Sequence, residues 1–190
     1  MAMVELLGDD AVPPDVAALF RAVETDYGFV PNILRALANT PQLVAAFLPL
    51  WAEVYRSPTI GARLRALAAL GTARSLECSY CVAHMTRSGR RAGLVDGELD
   101  AIGSATAERE TFDPREALIL EVAAALTQDP DGVTEDMRAR LSAQFAPAEI
   151  VNILMAIGLY NLTSRLLKSM QIRVEDVLLV GAEPSTGESL

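Results

Sequence analysis

The chain is poor in the residues that carry most side-chain chemistry. Among its 190 residues there is one histidine, His84, and there are two cysteines, Cys78 and Cys81. Two cysteines exclude a disulfide-rich secreted scaffold. Aromatic side chains make up only 5% of the chain. With Ala, Leu and Arg frequent instead, the composition favours helix over strand. Cations are outnumbered, 16 Lys+Arg against 25 Asp+Glu, for a formal charge of −9. That balance argues against a nucleic-acid partner, which would want clustered Lys and Arg. No apolar run reaches the roughly 18 residues of a membrane span. The longest, Ile150 to Leu162, is interrupted by Asn152 and Asn161. Met1 to Val12 carries acids and no basic n-region, so no secretory signal is expected. The expectations are therefore no membrane association and a cytoplasmic location.

What is present suffices for a core. At 51% hydrophobic and 22% charged, the chain is not globally disordered. Helical periodicity recurs along it, as at Val16, Leu19, Phe20 and Val23. Pro13-Pro14-Asp15 opens that helix and Gly28 closes it. Further helices are predicted from Pro31 to Asn39, Gln42 to Arg56 and Ile60 to Arg74. A fifth is predicted from a Ser75 cap to about Gly93. A short helix follows Asp96 and stops at Gly103. Ser104 to Asp113 reads as a loop. Pro114 to Leu126, Thr134 to Gln144 and Pro147 to Met170 complete about eight or nine helices. Only Arg173 to Val180 leaves room for a strand. The fold expected is an all-α antiparallel bundle. Residues 1–180 form a single domain in this reading, with an N-terminal part at 13–103 and C-terminal helices at 114–177. Residues 181–190 form a flexible tail.

The reactive residues cluster in one segment, Glu77-Cys78-Ser-Tyr-Cys81-Val-Ala-His84. On a helix, i and i+3 share a face, so the two thiols come within disulfide reach and His84 continues the stripe. With Ser75 as cap, Cys78 falls in the first turn, where N–H groups and the macrodipole favour a thiolate. Imidazole can accept or shuttle a proton. Three readings stay open: a redox dithiol, a metal site and plain packing. In the first, one cysteine attacks a peroxide or disulfide and the other resolves the intermediate. The second lacks a fourth ligand, since the chain has no further Cys or His. The third makes the cysteines small buried hydrophobes beside a satisfied histidine. Covalent haem attachment is set aside, because it wants His where Val82 stands. No metal and no cofactor are expected.

The segment Arg63-Leu-Arg-Ala-Leu-Ala-Ala-Leu-Gly-Thr-Ala-Arg74, followed by Glu77 to His84, resembles the core of the alkylhydroperoxidase D-like, carboxymuconolactone decarboxylase family. Gly28-Phe-Val-Pro-Asn-Ile-Leu-Arg-Ala-Leu37 is similar to the segment preceding that core in peroxidase-related members. Ala148 to Leu154 and Gly158 to Leu162 are similar to their C-terminal helix. The resemblance covers roughly residues 13 to 177 and implies an all-helical fold and a homo-oligomer, commonly a dimer, trimer or hexamer. It implies reduction of hydroperoxides through paired thiols. Cys81 would attack the peroxide, and Cys78 would resolve the intermediate and meet a dithiol or redox-protein reductant. Family members relay protons through a glutamate and a histidine at positions that are Ala66 and Met85 in this chain. His84 stands one residue off, and Glu77 is the acid nearest in sequence. Glu121 and Glu149 would have to reach the site through the fold. The alternatives are a decarboxylase-like enzyme that does not use the thiols and a non-enzymatic redox-sensing oligomer.

Away from the cysteines, Phe47, Trp51 and Tyr55 form an aromatic stripe expected to serve packing. Arg87, Arg90 and Arg91 complement the C-terminus of the cysteine helix. Asn161 is expected to make a structural hydrogen bond.

Overall fold

The computed structural model describes residues 2–179. Among them are eleven helices and no strand. In chain order these are α1 (Pro14–Tyr27), α2 (Asn32–Leu37), α3 (Pro41–Arg56), α4 (Ala62–Ser75), α5 (Ser79–Arg91) and α6 (Asp96–Ala101), then α7 (Ala105–Thr111), α8 (Pro114–Gln128), α9 (Glu135–Gln144), α10 (Pro147–Met170) and α11 (Asp176–Leu179). The expected tail, 181–190, lies outside the described residues.

The centre is α4, whose residues Ala66 to Ala73 are all buried. It packs against α8, α5 and α10. Small side chains let α4 and α8 approach closely. A Cβ added at Gly71 would lie 3.1 Å from the Ala123 Cβ and 3.2 Å from Leu120 Cδ2. Overpacking such a seam costs about 1–3 kcal/mol. The dry core around it is aliphatic, with Leu67, Leu70, Leu118, Ile119, Ile153 and Ile157 almost fully enclosed. At one edge, Arg63 binds α8 and α6 together. Its Nε donates to Glu116 at 2.6 Å and its Nη2 to Glu98 at 2.6 Å.

Three expectations change. Ser104 to Asp113 is not a loop, because α7 fills it. The Ser104 hydroxyl accepts from the Ala107 N–H, and Glu108 accepts from the Gly103 N–H at 2.8 Å. The segment has helix-forming Ala, Glu and Arg but no apolar period to betray it. The cysteine helix starts at Ser79 rather than after Ser75, which is the last residue of α4. Arg173 to Leu179 pairs with no strand, and its end winds into α11; Val180 lies outside the described residues. With α7 and α11 added, the helix count rises from eight or nine to eleven.

At 24 residues, α10 is long and apolar enough to cross a bilayer. Its Ile153, Ile157, Leu159, Tyr160, Ser164 and Leu167 are instead buried within the protein.

Candidate active site

The turn between α4 and α5 places the thiols. Leu76, Glu77 and Cys78 donate their N–H groups back to Thr72, Arg74 and Ala73, closing α4. Glu77 takes φ +50° there, a left-handed value that few non-glycine residues adopt. The chain then re-enters a helix with Cys78 itself as the N-cap, its sulfur accepting from the Cys81 N–H at 3.4 Å. Cys78 is thus at the helix start itself, nearly a full turn earlier in the helix than a Ser75 cap would put it.

Both thiols are reduced and buried. The Cys78 thiol is lowered to about 6. A hydrogen bond from the Cys81 thiol is the main cause, with the Cys81 N–H, Ser164 and the Lys168 charge assisting against burial. Cys81 moves the other way. The bond it gives to Cys78 and its own burial hold its proton on. The Ser164 hydroxyl of α10, wholly buried, lies 3.1 Å from the Cys81 sulfur and fixes it from the far side.

Three residues on from Cys81, His84 is held by both ring nitrogens. Nδ1 lies 2.9 Å from the Tyr27 hydroxyl and Nε2 lies 2.7 Å from Glu175 Oε2. The ring stacks on Tyr80 at 4.4 Å, and Phe29 meets it edge-on. The left-handed Gly28, φ +94°, ends α1 so that Tyr27 and Phe29 both turn toward the imidazole. On the other Glu175 oxygen, the Tyr80 hydroxyl donates at 2.6 Å and the Asn32 N–H donates as well. Burial raises the Glu175 carboxyl, but the His84 bond and charge, Asn32 and Tyr80 outweigh it, so the net shift is downward. Glu175 is therefore a carboxylate at neutral pH. Burial holds the protons on Tyr27 and Tyr80, which remain donors. The network reads Tyr27 O–H to Nδ1, and Nε2–H to Glu175, a carboxylate–imidazole–hydroxyl series.

The two sulfurs open into different spaces. Cys81 and His84 line a cavity of about 780 Å³ between α1, α3, α4, α5 and α10. Cys78 lines a separate cleft of about 210 Å³ with Glu77, Lys168 and Gln171. Of the expected site residues, Cys78, Cys81 and His84 come together. Glu77 stays exposed at the cleft, away from His84. Glu121 pairs with Arg140 and Glu149 with Arg115, so neither reaches the site. Ala66 and Met85 are cavity wall. The carboxylate partner of His84 is Glu175, which the sequence reading missed.

The aromatic stripe does more than pack. Trp51 and Tyr55 stack at 4.7 Å and, with Phe47, form cavity wall. Of the three arginines, Arg87 lies over the rings of Tyr27 and Phe29, Arg90 pairs with Asp96, and Arg91 reaches the cavity. Asn161 donates to Thr127 Oγ1 at 3.0 Å, a structural bond.

The pattern of the carboxymuconolactone decarboxylase family matches residues 41–125, from α3 into α8. An uncharacterized protein of Escherichia coli K12, YnjA, is 31% identical over 150 residues, covering 77% of this chain and 80% of that one. The chain belongs to the carboxymuconolactone decarboxylase family. Solved structures share its whole fold. An uncharacterized peroxidase-related protein of Ralstonia eutropha JMP134, with an alkylhydroperoxidase AhpD core, superposes with a TM-score of 0.81 at 19% identity. It covers 93% of this chain and 94% of its own. The debrominase Bmp8 in complex with 2,3,4-tribromopyrrole superposes at 0.78 and 20% identity, with 94% of each chain covered. At these identities the likeness is one of fold, and the all-helical alkylhydroperoxidase D-like architecture is common to all. The matched segment holds Cys78, Cys81 and His84, while Tyr27, Ser164 and Glu175 come from the flanks that this chain adds to it.

Proposed function

We propose that the protein is a dithiol peroxidase that reduces organic hydroperoxides by cycling Cys78 and Cys81 between thiols and a disulfide. The supporting observation is the separation of the two sulfurs, with Cys81 on a large apolar cavity beside a buried imidazole and Cys78 on a small polar cleft. An apolar cavity with a few convergent polar groups suits an organic substrate. A polar cleft suits the approach of an external dithiol reductant.

Cys81 keeps its proton until a base takes it. Both nitrogens of His84 are engaged, so the proton leaves through Tyr27. Its oxygen accepts from the cavity side while its own proton passes to Nδ1, and Glu175 balances the imidazolium that forms. The Cys81 sulfur attacks the terminal peroxide oxygen. The S–O bond forms, the O–O bond breaks, and the alkoxide leaves as an alcohol on receiving that proton back from Tyr27. Cys81 is now a sulfenic acid. Cys78, already a thiolate near neutral pH, attacks its sulfur and expels hydroxide, which is protonated to water. In sum, two thiols and a hydroperoxide give a disulfide, an alcohol and water. A dithiol reductant then reduces the disulfide by exchange at Cys78.

The test follows cumene hydroperoxide-dependent loss of two thiols per chain by stopped-flow or thiol titration. Cys81→Ser reacting as fast as wild type would overturn this mechanism. A second reading draws on the stacked Trp51–Tyr55 wall and on the debrominase fold relative. The same dithiol would remove halide from a flat haloaromatic, the ring gaining a proton and two electrons as the disulfide forms. Halide release from a bromopyrrole, with cumene hydroperoxide left untouched, would favour it.

A further inference from the structure

The cavity carries a charge pattern opposite to that of the chain around it. The protein has a formal charge of −9. Yet the permanently charged groups on the cavity wall are Arg56, Arg65 and Arg91 against Asp26 alone. Asp26 is already taken by Arg56 at the mouth. Among the described residues no ion pair involves Arg65 or Arg91. Arg65 is half-buried, and its guanidinium donates only to the Ser57 and Ile60 carbonyls. A guanidinium withdrawn from water without a carboxylate is expensive, and an incoming anion relieves that expense.

These two arginines line the same cavity. The charges of Arg65 and Arg91 both act on the Tyr55 hydroxyl, on the same wall. Cys81 lines that cavity as well. Cys81, His84, Ser88 and Arg91 follow one another along α5 at helical spacing, and all four line the cavity. At 1.5 Å per residue, Cys81 and Arg91 are about 15 Å apart along the axis. Helical side chains lean toward the N-terminus, which shortens the span left between the Arg91 guanidinium and Cys81. The rest of the wall is largely apolar and aromatic, with Phe47, Leu48 and Trp51 among its residues.

We propose that the cavity selects a hydroperoxide with an apolar body and an anionic, carboxylate-type head, the head seated on Arg65 and Arg91 and the peroxide at Cys81. The identity of the reacting group rests on the peroxidase reading above, whereas the seating of the anion does not. Arg91 is the residue to change, because Arg65 also braces the turn before α4.

The test compares cumene hydroperoxide with its para-carboxylate. Wild type is expected to favour the carboxylate by at least about tenfold in kcat/KM, the worth of one charge-assisted hydrogen bond. The preference falls with added salt. Arg91→Gln loses most of that preference, read as the ratio of the two kcat/KM values, and Arg91→Lys keeps part. Binding is read separately, without turnover. Trp51 is the only tryptophan and lies on the cavity wall, so its fluorescence reports the corresponding alcohols, with and without the carboxylate. Turnover of both hydroperoxides at equal kcat/KM overturns the anion seat and leaves the peroxidase reading standing. No turnover of either, with carboxylate-selective quenching that Arg91→Gln abolishes, overturns the peroxidase reading and supports the seat. No turnover and no selective quenching overturns both.

Discussion

Cys78 and Cys81 are three residues apart on one helix, yet their surroundings have little in common. Cys78 caps α5, takes the Cys81 N–H, the Cys81 thiol proton and a lysine charge, and opens onto a polar cleft. Cys81 is one turn deeper, pinned by Ser164, and looks into an aromatic cavity beside His84. One sulfur is ionised near neutral pH and the other holds its proton. In the proposed cycle, the sulfur that meets the peroxide needs a base, and the sulfur that closes the disulfide is ready without one. Sequence spacing treats the two as equivalent, and the environment of each separates them.

The largest test of that asymmetry exchanges the cysteines. Cys81→Ser is expected to abolish peroxide-dependent thiol loss. Cys78→Ser retains a single reaction per chain, with sulfenic acid trapped by dimedone, but loses turnover. The reverse pattern, measured by mass spectrometry, would invert the roles. Next comes the proton route. Tyr27→Phe and Glu175→Gln each lower the rate of sulfenic acid formation by about a hundredfold, at the low end for general acid–base catalysis. Because Glu175 also holds Asn32 and Tyr80, thermal unfolding of its variant is to be measured alongside. Tyr27→Phe removes only a hydroxyl and is the cleaner probe.

A third prediction follows the lowered thiol of Cys78. Its folded-state value, about 6, lies below that of a free cysteine. The thiolate is therefore present above pH 6 and is lost as pH falls through it. Iodoacetamide labelling of Cys78 in Cys81→Ser is not the right probe, since Cys81 supplies the main hydrogen bond. Labelling of the intact dithiol, mapped by peptide, is expected to plateau above pH 7. Below pH 6 it falls about tenfold per pH unit. The smallest effect is that of Lys168→Met. Removing an exposed cation whose Nζ lies 2.6 Å from the Leu76 carbonyl moves the labelling midpoint upward by a fraction of a pH unit. That change shrinks further at high salt.

Much of the architecture was legible beforehand. Apolar residues at i, i+3 and i+4, with Pro and Gly at the ends, marked nine of the eleven helices. The two that were missed are α7, which is short and polar, and α11, a single turn of four residues; their hydrogen bonding rather than periodicity reveals them. The Ser75 cap failed because Leu76 and Glu77 complete a turn that closes α4. Only then does the chain start again, and Cys78 takes the cap. At the site, the thiols and His84 stood out by scarcity and spacing. Tyr27, Ser164 and Glu175 did not. They lie 57, 83 and 91 residues from their partners, and hydrophobic periodicity has no bearing on such pairs. The Thr163-Ser164 pair, two small polar residues adjacent in the long helix α10, was the available hint.

The sequence by itself determined that this is a helical protein with a single local cluster of reactive side chains, because helix formation and i, i+3 proximity are short-range properties. The tertiary structure decided what that cluster faces. It made one sulfur a cavity residue and the other a cleft residue, and it supplied His84 with a carboxylate from beyond α10. It also turned an aromatic stripe into a wall. Those outcomes depend on which helices meet and at what depth, and burial and charge neighbours then set the ionisation of each group.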